Sequence, residues 1–264
     1  MIRLVCIDVD GTLVGSTGTV DPAVWRAAAR ARAAGIRLAI CSGRPAFGLA
    51  RRYAERLDAT GWHSFQNGAS VLHLASGRSR SARLAPEAVA MLVARARATG
   101  RLLELYADDE YVFHGDAELA RAHATLLGVP FDPRPLDALS GPIVRAQWIV
   151  PRAESAAVIG EPYPGVQVSP STSPLMPDTH FVNLTPAGVD KATAVRAIAG
   201  EYGVPVEQVM FVGDGANDAP AMRIVGHSVA MGNAEPEVRD VARSAVAHVD
   251  EGGLAQALEL ALAA

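Results

Sequence analysis

Short apolar segments alternate with alanine-rich amphipathic segments in the first third and the last third of the chain. Residues 2–7, 36–41 and 208–212 are apolar runs with β-branched residues, which is typical of strands buried on both faces of a sheet. Residues 23–34 and 191–202 have helical patterns, and each is followed by a glycine. A strand, a helix and another strand in this order form a right-handed unit with parallel strands. The pattern therefore predicts an α/β fold with a Rossmann-like, doubly wound parallel sheet.

A different pattern lies between residues 83 and 181. Residues 102–106 and 111–113 have the pattern of a two-stranded hairpin, and helical patterns lie on either side of it. Hairpins mixed with helices indicate an α+β unit with an antiparallel sheet. We therefore predict a core formed by residues 1–82 and 182–264, with residues 83–181 as an inserted α+β domain.

The composition excludes several classes of function. The 264 residues carry a net charge of −4 and no run of basic residues, which argues against a general nucleic-acid binder or a membrane-surface binder. The two cysteines are too few for a disulfide framework or a thiolate zinc site. No apolar segment has transmembrane length, and the chain starts with a strand pattern instead of a leader peptide, so we expect a cytoplasmic protein.

The basic residues are divided very unevenly between the two types. Of the 24 Lys and Arg residues, Lys191 is the single Lys. Arg supplies charge where charge alone is needed, so a single Lys indicates a site that needs a compact ammonium group on a flexible side chain. The alternative is that one Lys remains by chance on a solvated surface. Lys191 lies at the predicted start of a helix, and this position favours a functional role.

Polar side chains follow the predicted parallel strands at the points where the strands end. They are Asp8 and Asp10 after the first strand, Ser42 after the second, and Asp214, Asn217 and Asp218 after the strand at 208–212. Ligands bind outside the carboxyl ends of the strands in such sheets, so we expect these side chains to converge with Lys191. Carboxylate oxygens around an open position suit Mg²⁺, which binds through a few carboxylates together with phosphate.

This set of groups suits phosphoryl transfer through a carboxylate nucleophile. A carboxylate that attacks a phosphate meets a repulsion of about 4 kcal/mol per pair of unit charges at ~4 Å and an effective dielectric of ~20. Mg²⁺ and Lys191 would offset that repulsion, and Ser42 with the backbone N–H groups after it could hold the remaining phosphate oxygens. The second Asp of the first pair can protonate the leaving alcohol and then activate the water that hydrolyses the acyl phosphate.

Four segments resemble the motifs of the haloacid dehalogenase superfamily of phosphatases. They are Asp8-Val9-Asp10-Gly11-Thr12-Leu13, Ser42-Gly43-Arg44, Lys191, and Gly213-Asp214-Gly215-Ala216-Asn217-Asp218. Gly43 follows Asp10 by 33 positions, whereas Lys191 follows Gly43 by 148. The inserted domain therefore lies between the second and third motifs, as the cap domain does in the class IIB, Cof-like subfamily. Residues 66–69 and 188–191 also resemble that subfamily.

The resemblance implies a role for each of these residues. Asp8 would be the nucleophile and Asp10 the general acid and base. The resemblance also implies a Mg²⁺ site formed by Asp8, the backbone carbonyl of Asp10, and Asp214. The residues implied in phosphate binding are Thr12, Ser42, Gly43, Lys191 and Asn217. Asp218 would orient Lys191 or a metal-bound water, and a simple helix N-cap is the alternative for it.

The predicted activity is hydrolysis of small phosphorylated metabolites, sugar phosphates in particular, through an aspartyl-phosphate intermediate. A phosphomutase of the same fold is the closest alternative, because it would return the phosphoryl group to a second position of the substrate. A non-catalytic phospho-acceptor or binding protein is the other alternative, although it would not need a matched nucleophile and acid. Tyr106, Asp108, Glu110 and Tyr111 are candidates for substrate recognition in the inserted domain.

Overall fold

Strands and helices alternate along most of the chain in this computed structural model, which describes residues 1–173 and 175–264. Their bounds, in chain order, are β1 (Leu4–Ile7), α1 (Pro22–Ala33), β2 (Arg37–Ile40), α2 (Leu49–Asp58), β3 (Trp62–Phe65), β4 (Ser70–His73), β5 (Arg78–Ser79), α3 (Pro86–Thr99), β6 (Leu102–Tyr106), β7 (Tyr111–His114), α4 (Ala117–Leu127), β8 (Arg145–Pro151), α5 (Ser155–Ile159), β9 (Val166–Ser171), β10 (Thr179–Pro186), α6 (Lys191–Tyr202), β11 (Val209–Gly213), α7 (Ala219–Ile224), β12 (His227–Ala230), α8 (Pro236–Val241), β13 (Ser244–Ala245) and α9 (Gly253–Ala263). Within the described residues, no helix combines the length and the apolar character that crossing a membrane requires.

The chain divides into two units, each with its own sheet. The core unit consists of Met1–Gly43, Arg52–Arg80 and Asp190–Ala264. The second unit consists of Arg44–Arg51 and Ser81–Val189. The chain therefore leaves the core unit twice and returns to it twice.

A parallel sheet with the strand order β13-β12-β11-β1-β2 forms the centre of the core unit. Strand β1 lies between β11 and β2, and all four of its side chains are buried. Leu4 and Cys6 pack with Val195 and Ile198 of α6. Helices α1 and α9 contact each other, and α1 also contacts β2 while α9 contacts β11. Helices therefore cover the sheet, which explains why β1 is apolar along its whole length. The predicted doubly wound parallel sheet is confirmed.

The second unit contains an antiparallel sheet with the strand order β7-β6-β8-β10-β9. Leu105 and Trp148 belong to an apolar cluster that includes Leu92 of α3. Phe181 and Leu102 belong to a different cluster, which includes Ala120 of α4. Neighbouring side chains of a strand point to opposite faces, so the two clusters give this sheet an apolar layer on each side.

The bounds of the second unit differ from the predicted limits of 83 and 181. Strand β10 pairs with β8 and β9 over its length, and this pairing places residues up to Val189 in the second unit. Residues 44–51 also belong to it, because the ring of Phe47 stacks on those of Tyr106 and Tyr111 at centroid distances of 6.4 and 6.0 Å. These aromatic contacts join positions about sixty residues apart, which a local pattern does not reveal.

Two segments of the chain contain only short elements. Strand β8 continues to Pro151, a single 3₁₀ turn follows it, and α5 covers only Ser155–Ile159. Strand β13 is the two-residue pairing Ser244–Ala245. An apolar run alone cannot distinguish the conformations of segments as short as these.

Candidate active site

The first strand of the core unit ends at a buried carboxylate. Backbone N–H of Asp8 donates to the carbonyl of Val212 at 3.0 Å, and the N–H of Cys41 donates to the carbonyl of Ile7 at 2.8 Å. Asp8 therefore lies at the carboxyl edge of the sheet, between the ends of β11 and β2, and it is only 6% exposed. Asp10 is exposed, in a turn where the N–H of Gly11 donates to the carbonyl of Val14. The two carboxylates are thus in different environments.

Gly11 has a left-handed backbone conformation and no room for a side chain, and both conditions favour glycine. Its φ is +81°, and a Cβ atom there would overlap the carboxylate of Asp214. The absence of a side chain at Gly11 therefore lets the first motif and the turn after β11 approach each other.

The substitution Gly11→Ala is expected to lower the melting temperature more than Gly35→Ala does. Gly35 has a similar φ of +85° but open space around its Cα, so alanine there should cost about 1 kcal/mol, or roughly 3 °C. At Gly11 overpacking against Asp214 adds roughly 1–3 kcal/mol. Calorimetry of both variants measures the difference, and equal shifts would contradict this account of Gly11.

Lys191 bridges two buried carboxylates. It is the first residue of α6, which begins with a capping box between Asp190 and Thr193. Its Nζ donates to Oδ1 of Asp8 and to Oδ1 of Asp218, each at 2.5 Å, and the side chain is 1% exposed. Burial lowers the pKa of Lys191, but the two carboxylates more than offset that effect and hold the pKa above its ordinary value. Lys191 is therefore a permanent ammonium group in this site.

Asp218 binds Lys191 and also fixes the conformation of the turn after β11. Its Oδ2 accepts hydrogen bonds from the backbone N–H groups of Asp214 and Gly215, both at 3.0 Å. It occupies the N-cap position of α7, but its side chain makes no capping hydrogen bond to that helix. A Cβ atom at Gly213 would overlap the Asp218 carboxylate. The alternative of a simple N-cap thus does not describe its contacts.

Asp214 is held by two side chains from other turns. Its Oδ1 accepts from Oγ1 of Thr12 at 2.8 Å, and its Oδ2 accepts from Nδ2 of Asn233 at 3.2 Å. Burial, followed by the charge of Asp218, raises the pKa of Asp214 to about 7. The hydroxyl proton of Thr12 is engaged by Asp214, which differs from the phosphate contact predicted for Thr12.

Two buried acids, Asp8 and Asp218, and the half-buried Asp214 form a compact cluster. One carboxylate oxygen from each of Asp8, Asp214 and Asp218 lies within 4.8 Å of the other two. Burial raises the pKa of Asp8 well above its ordinary value, the charge of Asp218 adds to this, and Lys191 only partly opposes it. Like charges in a low-dielectric region are costly, and a bound cation would relieve that cost. The cluster is therefore suited to a metal ion.

The segments predicted to bind phosphate meet around one asparagine. Ser42 is buried at the end of β2, and its carbonyl accepts from the backbone N–H of Asn67 at 3.0 Å. Nδ2 of Asn217 donates to Oδ1 of Asn67 at 3.0 Å. A Cβ atom at Gly43 would lie 3.0 Å from that same Oδ1. Ser42, Gly43 and Asn217 are thus brought together through Asn67.

Comparison with known proteins identifies the family. The model of the family described as haloacid dehalogenase-like hydrolase matches residues 5–258. The chain belongs to this family. A putative phosphatase of Streptococcus pyogenes serotype M6 is 25% identical to it over 276 positions, which cover 97% of either protein. The resemblance inferred from the four motifs is confirmed, and with it the predicted enzyme class, a hydrolase of the haloacid dehalogenase phosphatase type.

Solved structures of haloacid dehalogenase proteins share the fold. A haloacid dehalogenase-like hydrolase from Bacteroides thetaiotaomicron is 26% identical, with a TM-score of 0.86 over 98% of this chain and 99% of the other. The subclass IIB sugar phosphatase BT4131 is 21% identical, with a TM-score of 0.83 over 98% of both chains. The similarity to BT4131 shows that the fold is that of a subclass IIB protein.

Two asparagines of this haloacid dehalogenase-like hydrolase contact the site without belonging to any of the four motifs. Asn233 donates to the carbonyl of Gly11 at 2.8 Å as well as to Asp214, and its Oδ1 accepts from the N–H of Val249 at 3.0 Å. Asn233 could have been identified from the sequence by its position in the turn after β12, at the same edge of the sheet as the four motifs. Asn67 could have been identified because it lies in the segment 66–69, which resembles the Cof-like subfamily.

The residues predicted to recognise substrate in the inserted domain have partners within the second unit. The hydroxyl of Tyr106 donates to the buried carboxylate of Glu104. Glu110 accepts from the backbone N–H of Ser140 and from Arg134, both at 2.8 Å, and these contacts lower the pKa of Glu110 to about 2. A role in recognition stays a prediction for these residues, as it does for Asp108 and Tyr111.

Proposed function

We propose that this protein is a Mg²⁺-dependent phosphatase that hydrolyses small phosphorylated metabolites, and sugar phosphates in particular. The observation that carries the proposal is the buried ammonium of Lys191 between Asp8 and Asp218, beside Asp214. A purely structural core does not need one cation and three acids, because well-packed apolar side chains are often at least as stable. The putative phosphatase of Streptococcus pyogenes and the fold of the sugar phosphatase BT4131 support the activity and the substrate class.

In the first half of the reaction, Asp8 acts as the nucleophile. A bond forms between a carboxylate oxygen of Asp8 and phosphorus, the bond between phosphorus and the ester oxygen breaks, and Asp10 gives its proton to the leaving alcohol. In the second half, Asp10 takes a proton from water, the water oxygen bonds to phosphorus, and the acyl phosphate bond to Asp8 breaks. The product is orthophosphate. The exposure of Asp10 suits this role, because its carboxyl group is accessible to the leaving alcohol and to water.

The donors for Mg²⁺ would be Asp8, Asp214 and the backbone carbonyl of Asp10. The raised pKa values of Asp8 and Asp214 fit a cation site. Burial and the nearby negative charge of Asp218 raise both values, and a bound cation would offset these two effects. Asp218 is less suited to be a ligand, since its oxygens already accept from Lys191 and from two backbone N–H groups. When bound, the cation supplies charge neutralisation for the phosphoryl oxygens and for the attacking carboxylate.

The phosphate would be held by groups that follow two strands and by the first residue of α6. Lys191 contributes a charged donor, and Ser42, Gly43 and Asn217 contribute a hydroxyl, a backbone N–H and a side-chain amide. We assign Thr12 to the orientation of Asp214 instead, since its hydroxyl donates to that carboxylate at 2.8 Å. Asp218 orients Lys191 through their 2.5 Å contact.

Hydrolysis of p-nitrophenyl phosphate with Mg²⁺, and again with EDTA in place of Mg²⁺, tests the proposal. We expect turnover with Mg²⁺ and its loss with EDTA. Activity that persists without a divalent cation would refute the metal dependence. A panel of hexose and pentose phosphates follows, with free orthophosphate and isomerised substrate both measured. Isomer without orthophosphate would establish the phosphomutase, and the absence of any turnover on the panel would favour a non-catalytic protein.

The substitution Asn233→Ala is expected to weaken the response to Mg²⁺. Without Asn233, Asp214 loses the donor to its Oδ2, and removal of such a supporting partner typically costs about 10–100-fold in metal affinity. The Mg²⁺ concentration for half-maximal activity measures the effect. Arg239→Ala is the control, because Arg239 supports the same turn through the carbonyl of Gly232, at 2.8 Å, instead of through Asp214. An unchanged Mg²⁺ response in Asn233→Ala would contradict the assignment.

The cytoplasmic location stays a prediction. The same holds for the expected partners, which are a small phosphorylated metabolite and neither nucleic acid nor membrane.

A further inference from the structure

Two consecutive residues of the segment 66–69 have left-handed backbone conformations. Gln66 has a φ of 56° and Asn67 a φ of 54°, and among the described residues they are the only ones other than glycine with positive φ. Both are buried. Such conformations persist only where the surrounding contacts enforce them, and they are concentrated at functional sites. The segment therefore has a conformation that its neighbours impose.

The contacts of this segment reach two of the four motifs and the residue that precedes a third. The backbone N–H of Asn67 donates to the carbonyl of Ser42, and its Oδ1 accepts from Asn217, each at 3.0 Å. The backbone of Gly68, with a φ of +99°, packs so closely on the carbonyl of Asp190 that a Cβ atom would overlap it. Asp190 caps the helix that begins at Lys191. One three-residue turn thus contacts all the segments to which we assign phosphate binding.

We propose that Asn67 is a positioning residue for the phosphate site, a role that rests on the proposed phosphatase function. The amide nitrogen of an asparagine side chain carries two hydrogens. Nδ2 of Asn217 uses one of them to donate a hydrogen bond to Oδ1 of Asn67. The orientation of the Asn217 amide is thereby set, and its second hydrogen remains for a phosphate oxygen. The backbone bond to Ser42 holds the end of β2 at a constant distance from Asn217. The left-handed conformation at residue 67 allows both bonds to form at once.

The variants Asn67→Gly and Asn67→Ala separate the side chain from the backbone. Glycine removes the side chain but adopts the left-handed conformation freely, whereas alanine removes it and resists that conformation. For Asn67→Gly we expect the KM for p-nitrophenyl phosphate and the inhibition constant of orthophosphate to rise about tenfold, with a smaller change in kcat. We expect its melting temperature to stay above that of Asn67→Ala.

A double-mutant cycle with Asn217→Ala decides between positioning and a general loss of structure. If Asn67 acts through Asn217, the substitution Asn67→Gly should change the orthophosphate constant less than twofold in the Asn217→Ala background. Full additivity, or a lower kcat with an unchanged orthophosphate constant, would overturn the inference. A wild-type protein without phosphatase activity would instead refute the proposed function. The two failures are therefore distinguishable.

Discussion

The substitution Lys191→Met is expected to destabilise the protein and to abolish its phosphatase activity together. Methionine leaves the buried carboxylates of Asp8 and Asp218 without their shared cation. Removal of one partner from a buried ion pair typically costs about 3–5 kcal/mol, which corresponds to roughly 10 °C in melting temperature for a protein of this size. Without the ammonium the pKa of Asp8 rises further, which disfavours the ionised carboxylate that acts as the nucleophile. We expect turnover to fall by about 10³-fold or more, because the charged donor to the phosphate is lost as well.

The double variant Lys191→Met with Asp218→Asn is the matched control for this prediction. It removes one of the two uncompensated carboxylates, so part of the lost stability should return. Activity should not return, because neither the ammonium nor its orienting acid is present. Calorimetry and p-nitrophenyl phosphate turnover measure the two effects separately. A Lys191→Met protein that melts like the wild type would show that the two ion pairs contribute little to the fold.

The positions of Asp8, Ser42 and Asp214 at one edge of the sheet could be predicted from the sequence. Each residue follows an apolar run of strand length, and parallel strands place their carboxyl ends at the same edge. Lys191 could be predicted by its composition signal and by the capping residues before α6. These predictions depend on periodicity and on residue type, and both can be seen in a single sequence.

The supporting contacts could not be predicted, because they join turns that are far apart in sequence. Asn67 and Asn217 are separated by 150 positions, and Asn233 and Gly11 by 222. The local pattern marks the segments that contain Asn67 and Asn233, but it does not show which distant residue either side chain contacts. The different burial of Asp8 and Asp10 also depends on the turn at Gly11, and strand alternation alone does not reveal it.

The substitution Asp8→Asn is expected to abolish activity while the melting temperature stays equal to that of the wild type or rises. An amide cannot form the acyl phosphate, so we expect turnover to fall by about 10⁴-fold or more. Unlike Lys191→Met, this substitution is not expected to destabilise the protein. Burial and the charge of Asp218 raise the pKa of Asp8, so its ionised form is less favourable in the folded than in the unfolded protein. The neutral amide avoids this cost and can still accept a hydrogen bond from Lys191.

Asp58→Asn provides the control for Asp8→Asn, because both residues are 6% exposed and the change of shape is the same. Asp58 accepts from the N–H and the hydroxyl of Thr60 at 3.1 and 2.9 Å, and no role in the site is assigned to it. We expect Asp58→Asn to keep wild-type turnover and to melt at the same or a slightly lower temperature. Residual turnover in Asp8→Asn that exceeds about 1% of wild type after exclusion of deamidation would contradict the assignment of Asp8 as the nucleophile. The ionised carboxylate of a reactive residue typically lowers the stability of the fold, so its replacement by a neutral group should raise the melting temperature. If Asp8→Asn lowered the melting temperature more than Asp58→Asn does, our inference that the charge of Asp8 destabilises the fold would be wrong.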